Sequence, residues 1–210
     1  MSFIGNWEIR RRLLERPNVF AFFNFLIGVN DRTRQIIADY VRPDSESVIL
    51  DVACGRGDYA KALYPHRYFG VDNNPAYIEY AKNRFGKFGS FVCCDVADAR
   101  DHTKDLRPNV AILIGVLHHL TTEQASTLLA DIRDLLEPNG RVVSVDPVFT
   151  PEQGLTARLL AASDRGRFVR STEEHLRLLG QSFSVVTADV RTDWLRIPYT
   201  HLACVSQKSA

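Results

Sequence analysis

An apolar run, an acid and a glycine-rich turn follow one another between residues 48 and 58, in the order Val-Ile-Leu-Asp-Val-Ala-Cys-Gly-Arg-Gly-Asp. The apolar run predicts a buried strand. Gly55 and Gly57 allow the backbone to bend sharply and a ligand to approach it closely. The helix predicted to follow offers unpaired N–H groups to the same ligand. The pattern therefore predicts an adenosine-containing cofactor at the carboxyl end of the first sheet strand.

Two kinds of cofactor fit this turn. The spacing Gly55-x-Gly57-x-x-Ala60 matches the dinucleotide fingerprint. However, the carboxylate of Asp51 at the strand end would repel a pyrophosphate. It would instead tolerate or attract the cationic amino group and sulfonium of S-adenosyl-L-methionine. An NAD-dependent oxidoreductase stays an alternative, as does a non-catalytic regulator that binds an adenosine cofactor.

Composition limits the class of protein. A length of 210 residues suits one α/β domain, and 26 basic against 25 acidic residues argue against a nucleic-acid partner. The four cysteines form no C-x-x-C pair, which predicts no metal site and reduced thiols in the cytoplasm. The apolar stretch Val19–Val29 resembles a signal peptide, but it is too short to span a membrane and lacks a cleavage site. We expect a folded helix there.

From Val48 onward, short apolar runs alternate with helical stretches, which predicts a parallel sheet covered on both faces. The last two strands leave no room for a crossover helix, so we expect them to be antiparallel. One domain would then comprise a helical N-terminal cap (1–43), a cofactor-binding core (44–147) and a substrate-side region (148–210). The predicted strands are Val48–Val52, Tyr68–Val71, Ser90–Cys94, Val110–Ile114, Arg141–Val145, Phe183–Val190 and Leu202–Ser206. The predicted helices are Trp7–Glu15, Asn18–Ile27, Asp31–Val41, Asp58–Leu63, Pro75–Arg84, Thr122–Leu136, Pro151–Ala162 and Ser171–Leu179, with a polar loop from Asp95 to Arg107.

Acids end the second and third predicted strands. Asp72 can accept hydrogen bonds from both hydroxyls of a ribose, or it can cap the helix that starts at Pro75. Asp95 can accept a hydrogen bond from an adenine amino group while Val96 packs on the ring, or it can be a solvated loop acid. We favour the ligand-binding interpretation of both acids.

The segments Asp51–Gly57, Gly70–Asn74, Cys94–Val96, Gly115–Leu120 and Leu136–Arg141 together resemble the class I S-adenosylmethionine-dependent methyltransferases. The resemblance implies a Rossmann-like, mostly parallel seven-stranded sheet, here with extra N-terminal helices. It also implies the cofactor, S-adenosyl-L-methionine, and roles for several residues. Asp51 and Gly55 would hold its methionine part, Asp72 the ribose, and Asp95 and Val96 the adenine, while Ile114 and Gly115 would line it near the sulfur. The remaining predicted cofactor residues are Ala53, which stands where the family often has a third glycine, and Cys54, Gly57, Asn73 and His119.

Methyl transfer to a hydroxyl or a protonated amine needs a base. His118 and His119 follow the fourth strand, and neighbouring residues cannot both point inward. We expect His118 on the substrate side as the base and His119 in a structural or cofactor-side role. Asp146 and Tyr199 are further catalytic candidates, although Asp146 could instead cap the next helix.

Three arginines of the last quarter are candidates to clamp an anionic group of the substrate. We expect a small-molecule acceptor that is methylated on oxygen, with nitrogen or carbon as less favoured positions. The three arginines are Arg165, Arg170 and Arg196.

Overall fold

The structure is a computed structural model that describes residues 29–103, 106–162 and 166–208. Arg165 and the predicted helices Trp7–Glu15 and Asn18–Ile27 lie outside these residues. The strands are β1 Val48–Val52, β2 Arg67–Asp72, β3 Ser90–Cys93, β4 Val110–Ile114, β5 Arg141–Phe149, β6 Arg170–Ser171, β7 Ser184–Arg191 and β8 His201–Gln207. The helices are α1 Val29–Ile36, α2 Ala60–Leu63, α3 Pro75–Phe85, α4 Ala99–Thr103, α5 Thr122–Leu135, α6 Leu155–Ala162 and α7 Thr172–Leu179.

Seven strands form one sheet in the order β3-β2-β1-β4-β5-β8-β7. Strands β1 to β5 pair in parallel, whereas β8 is antiparallel to both β5 and β7. The predicted topology is confirmed, including the antiparallel final pair. The two-residue strand β6, which was not predicted, pairs in parallel with the end of β5.

Both faces of the sheet are covered, because successive strand residues point to opposite sides. On one face, Leu50 belongs to a cluster with Leu129 and Ile132 of α5. On the other face, Ile49 belongs to a cluster with Ile36 of α1 and Ile78 of α3. The alternation along β1 therefore places the glycine-rich turn at the end of a strand that is buried on both sides.

Strand β5 is longer than predicted. Ile114, the last residue of β4, pairs with Val145, and β5 continues to Phe149. These additional residues pair with β8 on one side and with β6 on the other. Residues 146–149 of β5 therefore extend beyond the point where its pairing with β4 ends.

Several helices differ from the predicted ones. Helix α1 ends in a π-turn, Ile37–Val41, and α6 begins at Leu155 instead of Pro151. The predicted polar loop after β3 contains a 3-10 turn, Val96–Asp98, and α4, whose residue Ala99 is fully buried. The loop prediction was wrong because packing of small side chains stabilises helical turns that carry no apolar periodicity.

The capping box that opens α7 is confirmed. The Ser171 hydroxyl accepts a hydrogen bond from the Glu174 N–H at 3.2 Å, and the Glu174 carboxylate accepts one from the Ser171 N–H at 2.8 Å.

Within the described part of the chain, no helix has the length and apolar character needed to cross a bilayer.

Candidate functional site

Left-handed backbone shapes the turn after β1. Ala53, Gly55 and Gly57 have φ angles of 53°, 54° and 75°. A Cβ atom placed on Gly55 would meet nothing within 4 Å, so open space faces this part of the backbone. A Cβ atom on Gly57 would lie 2.6 Å from Cε1 of Phe91. Gly55 thus suits the close approach of a ligand, whereas packing against β3 requires glycine at 57.

The left-handed conformation explains the family preference at position 53. An alanine adopts this conformation at a cost of about 1–2 kcal/mol, which a glycine would not bear. The turn nevertheless keeps the shape that three glycines would give it, and Ala53 itself is exposed. The departure from the family pattern therefore leaves the geometry of the turn intact.

Asp51 is buried at the end of β1, with 2% of its surface exposed. Burial raises the pKa of its carboxyl group to about 7, although the Tyr68 hydroxyl donates a hydrogen bond to Oδ2 and opposes that rise. A cationic group placed nearby would favour the ionised carboxylate. The setting therefore fits the cationic amino group that the resemblance assigns to this position.

Asp72 ties the glycine turn to the end of β2. Its Oδ2 atom accepts a hydrogen bond from the Gly55 N–H, and its Oδ1 atom accepts one from the Asn74 N–H, each at 2.8 Å. The cap of α3 is Asn74, whose side chain accepts from the N–H groups of Ala76 and Tyr77. Asp72 is therefore not the helix cap, and its carboxylate lies beside the turn, where a ribose would be bound.

The remaining predicted cofactor residues surround this turn at the carboxyl edge. The Asn73 amide donates to Oδ1 of the exposed Asp95 at 3.2 Å, and Val96 is half-buried. The Cys54 N–H donates to the Val71 carbonyl at 2.9 Å. Ile114 ends β4 next to β5, and Gly115, which has a φ of 72°, follows it. The structure thus places the predicted set at the carboxyl ends of four adjacent strands, in the order β3-β2-β1-β4.

A buried histidine–aspartate pair lies after β4. Oδ1 of Asp146 accepts hydrogen bonds from Nδ1 of His118 at 2.7 Å and from the His118 backbone N–H at 3.1 Å. Both side chains are at most 7% exposed. Because a carboxylate only accepts, Nδ1 carries the proton, and Nε2 is the basic nitrogen of the ring.

The ring of His118 faces the predicted cofactor region. A Cβ atom placed on Gly115 would lie 3.6 Å from His118 Cε1, so this ring carbon is directed toward the end of β4. His119 is exposed, and its ring centroid lies 4.1 Å from that of His118. The two histidines therefore lie at different depths, as expected for neighbouring residues.

Asp146 is an interior residue of β5, with only 1% exposed. Sequence reasoning left open that it caps a helix, and this alternative is wrong because β5 continues for three residues beyond it. Its Oδ2 atom is buried and has no hydrogen-bond partner among the described residues. Asp146 instead orients His118.

The other predicted residues lie farther apart. Arg170 is buried and donates to the backbone carbonyls of Leu117 and Leu120. The exposed Arg196 pairs with Asp31 at 3.5 Å. Tyr199 contacts the His201 ring and lines a cavity of about 360 Å³ beyond the end of β5. Arg170 and Arg196 thus each have protein partners in this structure, and the anion clamp formed with Arg165 stays a prediction.

His175 was not predicted as part of the site. It lies on the buried face of α7 with Leu178 and Leu179, and it is only 1% exposed. Burial lowers its pKa, while Asp146 opposes that shift. Its position on an otherwise apolar helix face is the sequence signal that marks it as buried.

Among the described residues, no group of three or more histidine, cysteine, aspartate or glutamate side chains is arranged to hold a metal ion. Comparison with known proteins points to the predicted cofactor. A family model described as a methyltransferase domain matches residues 49–140. The chain therefore contains a methyltransferase domain, and its cofactor is S-adenosylmethionine. The NAD-dependent oxidoreductase and the non-catalytic regulator are therefore set aside.

Solved structures share the fold of this methyltransferase. The N-methyltransferase NodS from Bradyrhizobium japonicum with S-adenosylhomocysteine is 17% identical with a TM-score of 0.64, covering 86% of this chain and 87% of its own. The 1,6-didemethyltoxoflavin-N1-methyltransferase from Burkholderia thailandensis is 20% identical with a TM-score of 0.65, covering 100% and 92%. The magnesium protoporphyrin IX methyltransferase from Synechocystis is 18% identical with a TM-score of 0.63, covering 87% and 84%. No curated protein sequence matches the chain.

Proposed function

We propose that this methyltransferase methylates a hydroxyl group of a small molecule and that His118 is the general base. The observation that carries the proposal is the hydrogen bond of 2.7 Å between Nδ1 of His118 and Asp146. It fixes the tautomer in which Nε2 accepts a proton, and the carboxylate stabilises the imidazolium that results. The ring is directed toward Gly115, one of the residues proposed to line the cofactor.

In this proposal the base and the cofactor-binding residues have separate roles. The cofactor supplies a methyl group on a sulfonium, which is already a good leaving group, so placing the acceptor in line is the main requirement. His118 Nε2 takes the hydroxyl proton while the acceptor oxygen forms its bond to the methyl carbon, and the carbon–sulfur electron pair remains on sulfur. Asp51, Gly55 and Asp72 hold the methionine and ribose parts.

Two observations support a small acceptor. The structures with this fold include enzymes named for 1,6-didemethyltoxoflavin and magnesium protoporphyrin IX. The cavity beyond β5 is lined by hydroxyls, such as that of Tyr199, and by the side chains of Glu152 and Gln153, so it offers hydrogen-bonding groups to a polar part of a small molecule. We propose that it receives the part of the acceptor distant from the methyl group.

Nitrogen methylation is a second candidate. Two of the compared structures are named as N-methyltransferases. The same His118–Asp146 pair could take a proton from an ammonium group before methyl transfer. The methylated atom of the product separates this candidate from the first.

We further propose a cytoplasmic enzyme that acts without nucleic acid, with 1–43 as cap, 44–147 as cofactor core and 148–210 as substrate side. The near balance of 26 basic and 25 acidic residues supports the absence of a nucleic-acid partner. Cell fractionation and a nucleic-acid binding assay at low salt test these two points.

The deciding experiment incubates the protein with isotopically labelled S-adenosylmethionine and a cell extract, and identifies the labelled product and its methylated atom. With that acceptor, His118→Ala and Asp146→Asn should lower turnover by about 10²–10⁴-fold, while affinity for S-adenosylhomocysteine stays constant. The exposed His102 provides a control, because His102→Ala removes an imidazole far from the pair in sequence. Wild-type turnover in His118→Ala would overturn the role of the base.

A further inference from the structure

The segment Gly166–Ser171, which we call the strap, lies against the turn that carries His118. The Phe168 N–H donates a hydrogen bond of 3.0 Å to the carbonyl of His118. At the end of the strap, Arg170 pairs with Val148 of β5. The strap is thus fixed to the same strand that carries Asp146.

Arg170 donates hydrogen bonds to backbone carbonyls on both sides of His118 and His119. Its Nη1 atom donates to the Leu117 carbonyl at 2.7 Å, and its Nη2 atom donates to the Leu120 carbonyl at 2.8 Å. The guanidinium is planar and rigid, so two donors with fixed spacing define the distance between these carbonyls. A side chain that is 8% exposed and directed at backbone carbonyls is suited to positioning rather than to binding a substrate anion.

Gly166 allows the strap to touch the imidazole. A Cβ atom placed on this residue would lie 1.9 Å from His118 Cδ2 and 2.7 Å from its carbonyl oxygen. No side chain fits at such a distance. Since Cδ2 faces Gly166 and Cε1 faces Gly115, the ring edge that carries Nε2 lies between two glycines, and it is Gly166 that approaches the ring closely.

We propose that the strap is the positioning element of His118. Gly166 and Arg170 hold the ring on Asp146 with its basic nitrogen directed toward the methyl-transfer site. This inference rests on the proposed function for its catalytic consequence, but the position and tautomer of the ring can be measured without turnover. Arg170 therefore becomes a positioning residue of the reaction, not a substrate ligand.

The test combines imidazole nitrogen NMR with kinetics. In the ¹⁵N-labelled wild type, His118 should appear as the tautomer protonated on Nδ1. In Gly166→Ala and Arg170→Met this tautomer should be lost or mixed with the Nε2-protonated form, and Arg170→Lys should restore it in part. His118→Ala assigns the signal, and Arg167→Met is the matched control because Arg167 is an exposed arginine of the same strap.

With the identified acceptor, Gly166→Ala and Arg170→Met should lower kcat by about 10²-fold, the effect of a misplaced group, while KM for the cofactor changes little. If Arg170→Met does not fold, Gly166→Ala and Arg170→Lys decide the question. A wild-type tautomer and kcat in folded strap variants would overturn the proposal. Full turnover in His118→Ala would instead refute the role of His118 as the base. The tautomer of His118 measured in the wild type and the strap variants would still test whether the strap positions the ring.

Discussion

The carboxyl group of Asp51 lies where its charge is unfavourable unless a cation binds beside it. Burial raises its pKa to about 7, and the hydrogen bond from Tyr68 offsets only part of that effect. An exposed aspartate has a pKa of about 3.9. The folded protein therefore binds this proton more tightly than the unfolded chain does.

The sign of the resulting pH dependence follows from linkage. The contribution of Asp51 to stability is complete below about pH 4 and is lost as the pH rises toward 7, because over that range the unfolded chain has released this proton while the folded protein still retains it. The variant Asp51→Asn cannot ionise. The free energy of unfolding of the variant minus that of the wild type should therefore increase by up to about 4 kcal/mol between pH 4 and pH 8.

Urea unfolding of both proteins at several pH values measures this difference. Comparing the two proteins removes the contributions of other titrating groups, such as His175. Parallel stability curves for the two proteins would mean that Asp51 is ionised at its ordinary pKa.

At this scale, the sequence reveals acids at strand ends but not what surrounds them. Asp51 and Asp72 are predictable because the strand pattern fixes where they lie. Tyr68 and His175 are not, since each looks like an ordinary member of a buried strand or helix. The hydrogen bond from Tyr68 to Asp51 and the electrostatic effect of Asp146 on His175 depend on packing between elements that are distant in sequence.

At the scale of the elements, the two glycines of the turn after β1 meet different requirements. The sequence shows two similar glycines, whereas the structure shows open space at Gly55 and close packing at Gly57. Gly55 and Gly57 both have left-handed backbone, so alanine at either position bears a similar conformational cost of about 1–2 kcal/mol. Only at Gly57 does a Cβ atom also collide with Phe91. We therefore expect the two alanine variants to fail differently.

Gly57→Ala should lower the free energy of unfolding by about 1–3 kcal/mol more than Gly55→Ala does, the usual cost of overpacking. Gly55→Ala should mainly weaken binding of S-adenosylhomocysteine. Urea unfolding and calorimetric titration measure the two effects. The second-site change Phe91→Leu should recover part of the stability lost in Gly57→Ala, and the opposite ranking of the two variants would contradict this assignment.

The predicted and observed elements differ where apolar periodicity is absent. The seven main strands were predictable because each contains a short run of apolar residues. Strand β6 has only two residues, too few for any pattern, and Asp146 and Pro147 interrupt the apolar run that extends β5. The strap and the extension of β5, which flank the His118–Asp146 pair, therefore arise from tertiary pairing, which a single sequence does not encode locally.

For the whole molecule, the cofactor site should act as a stabilising link between strands. A ligand that binds only the folded state at 100 times its Kd adds about 2.7 kcal/mol. For a domain of this size, each kcal/mol raises Tm by about 2–4 °C. S-adenosylhomocysteine at that concentration should therefore raise Tm by about 5–10 °C.

A thermal shift assay measures this effect, with Asp72→Ala as the control because it removes the acceptor of the Gly55 N–H. The variant should show a smaller shift at equal ligand concentration, since its affinity should fall by roughly 1–3 kcal/mol. Equal shifts in both proteins would remove Asp72 from the ribose site.

The clamp of Arg170 on the Leu117–Leu120 turn also bears on how the enzyme matures on the ribosome. Chains emerge from the amino terminus, and regions that are already made can fold before the rest. The glycine turn and the histidine pair are synthesised well before Arg170. A nascent chain, or one cut by a protease before residue 166, would carry the glycine turn and His118 without the segment that contacts His118. If His118 is the base, as we propose, methyl transfer would begin only once the last quarter of the chain has docked.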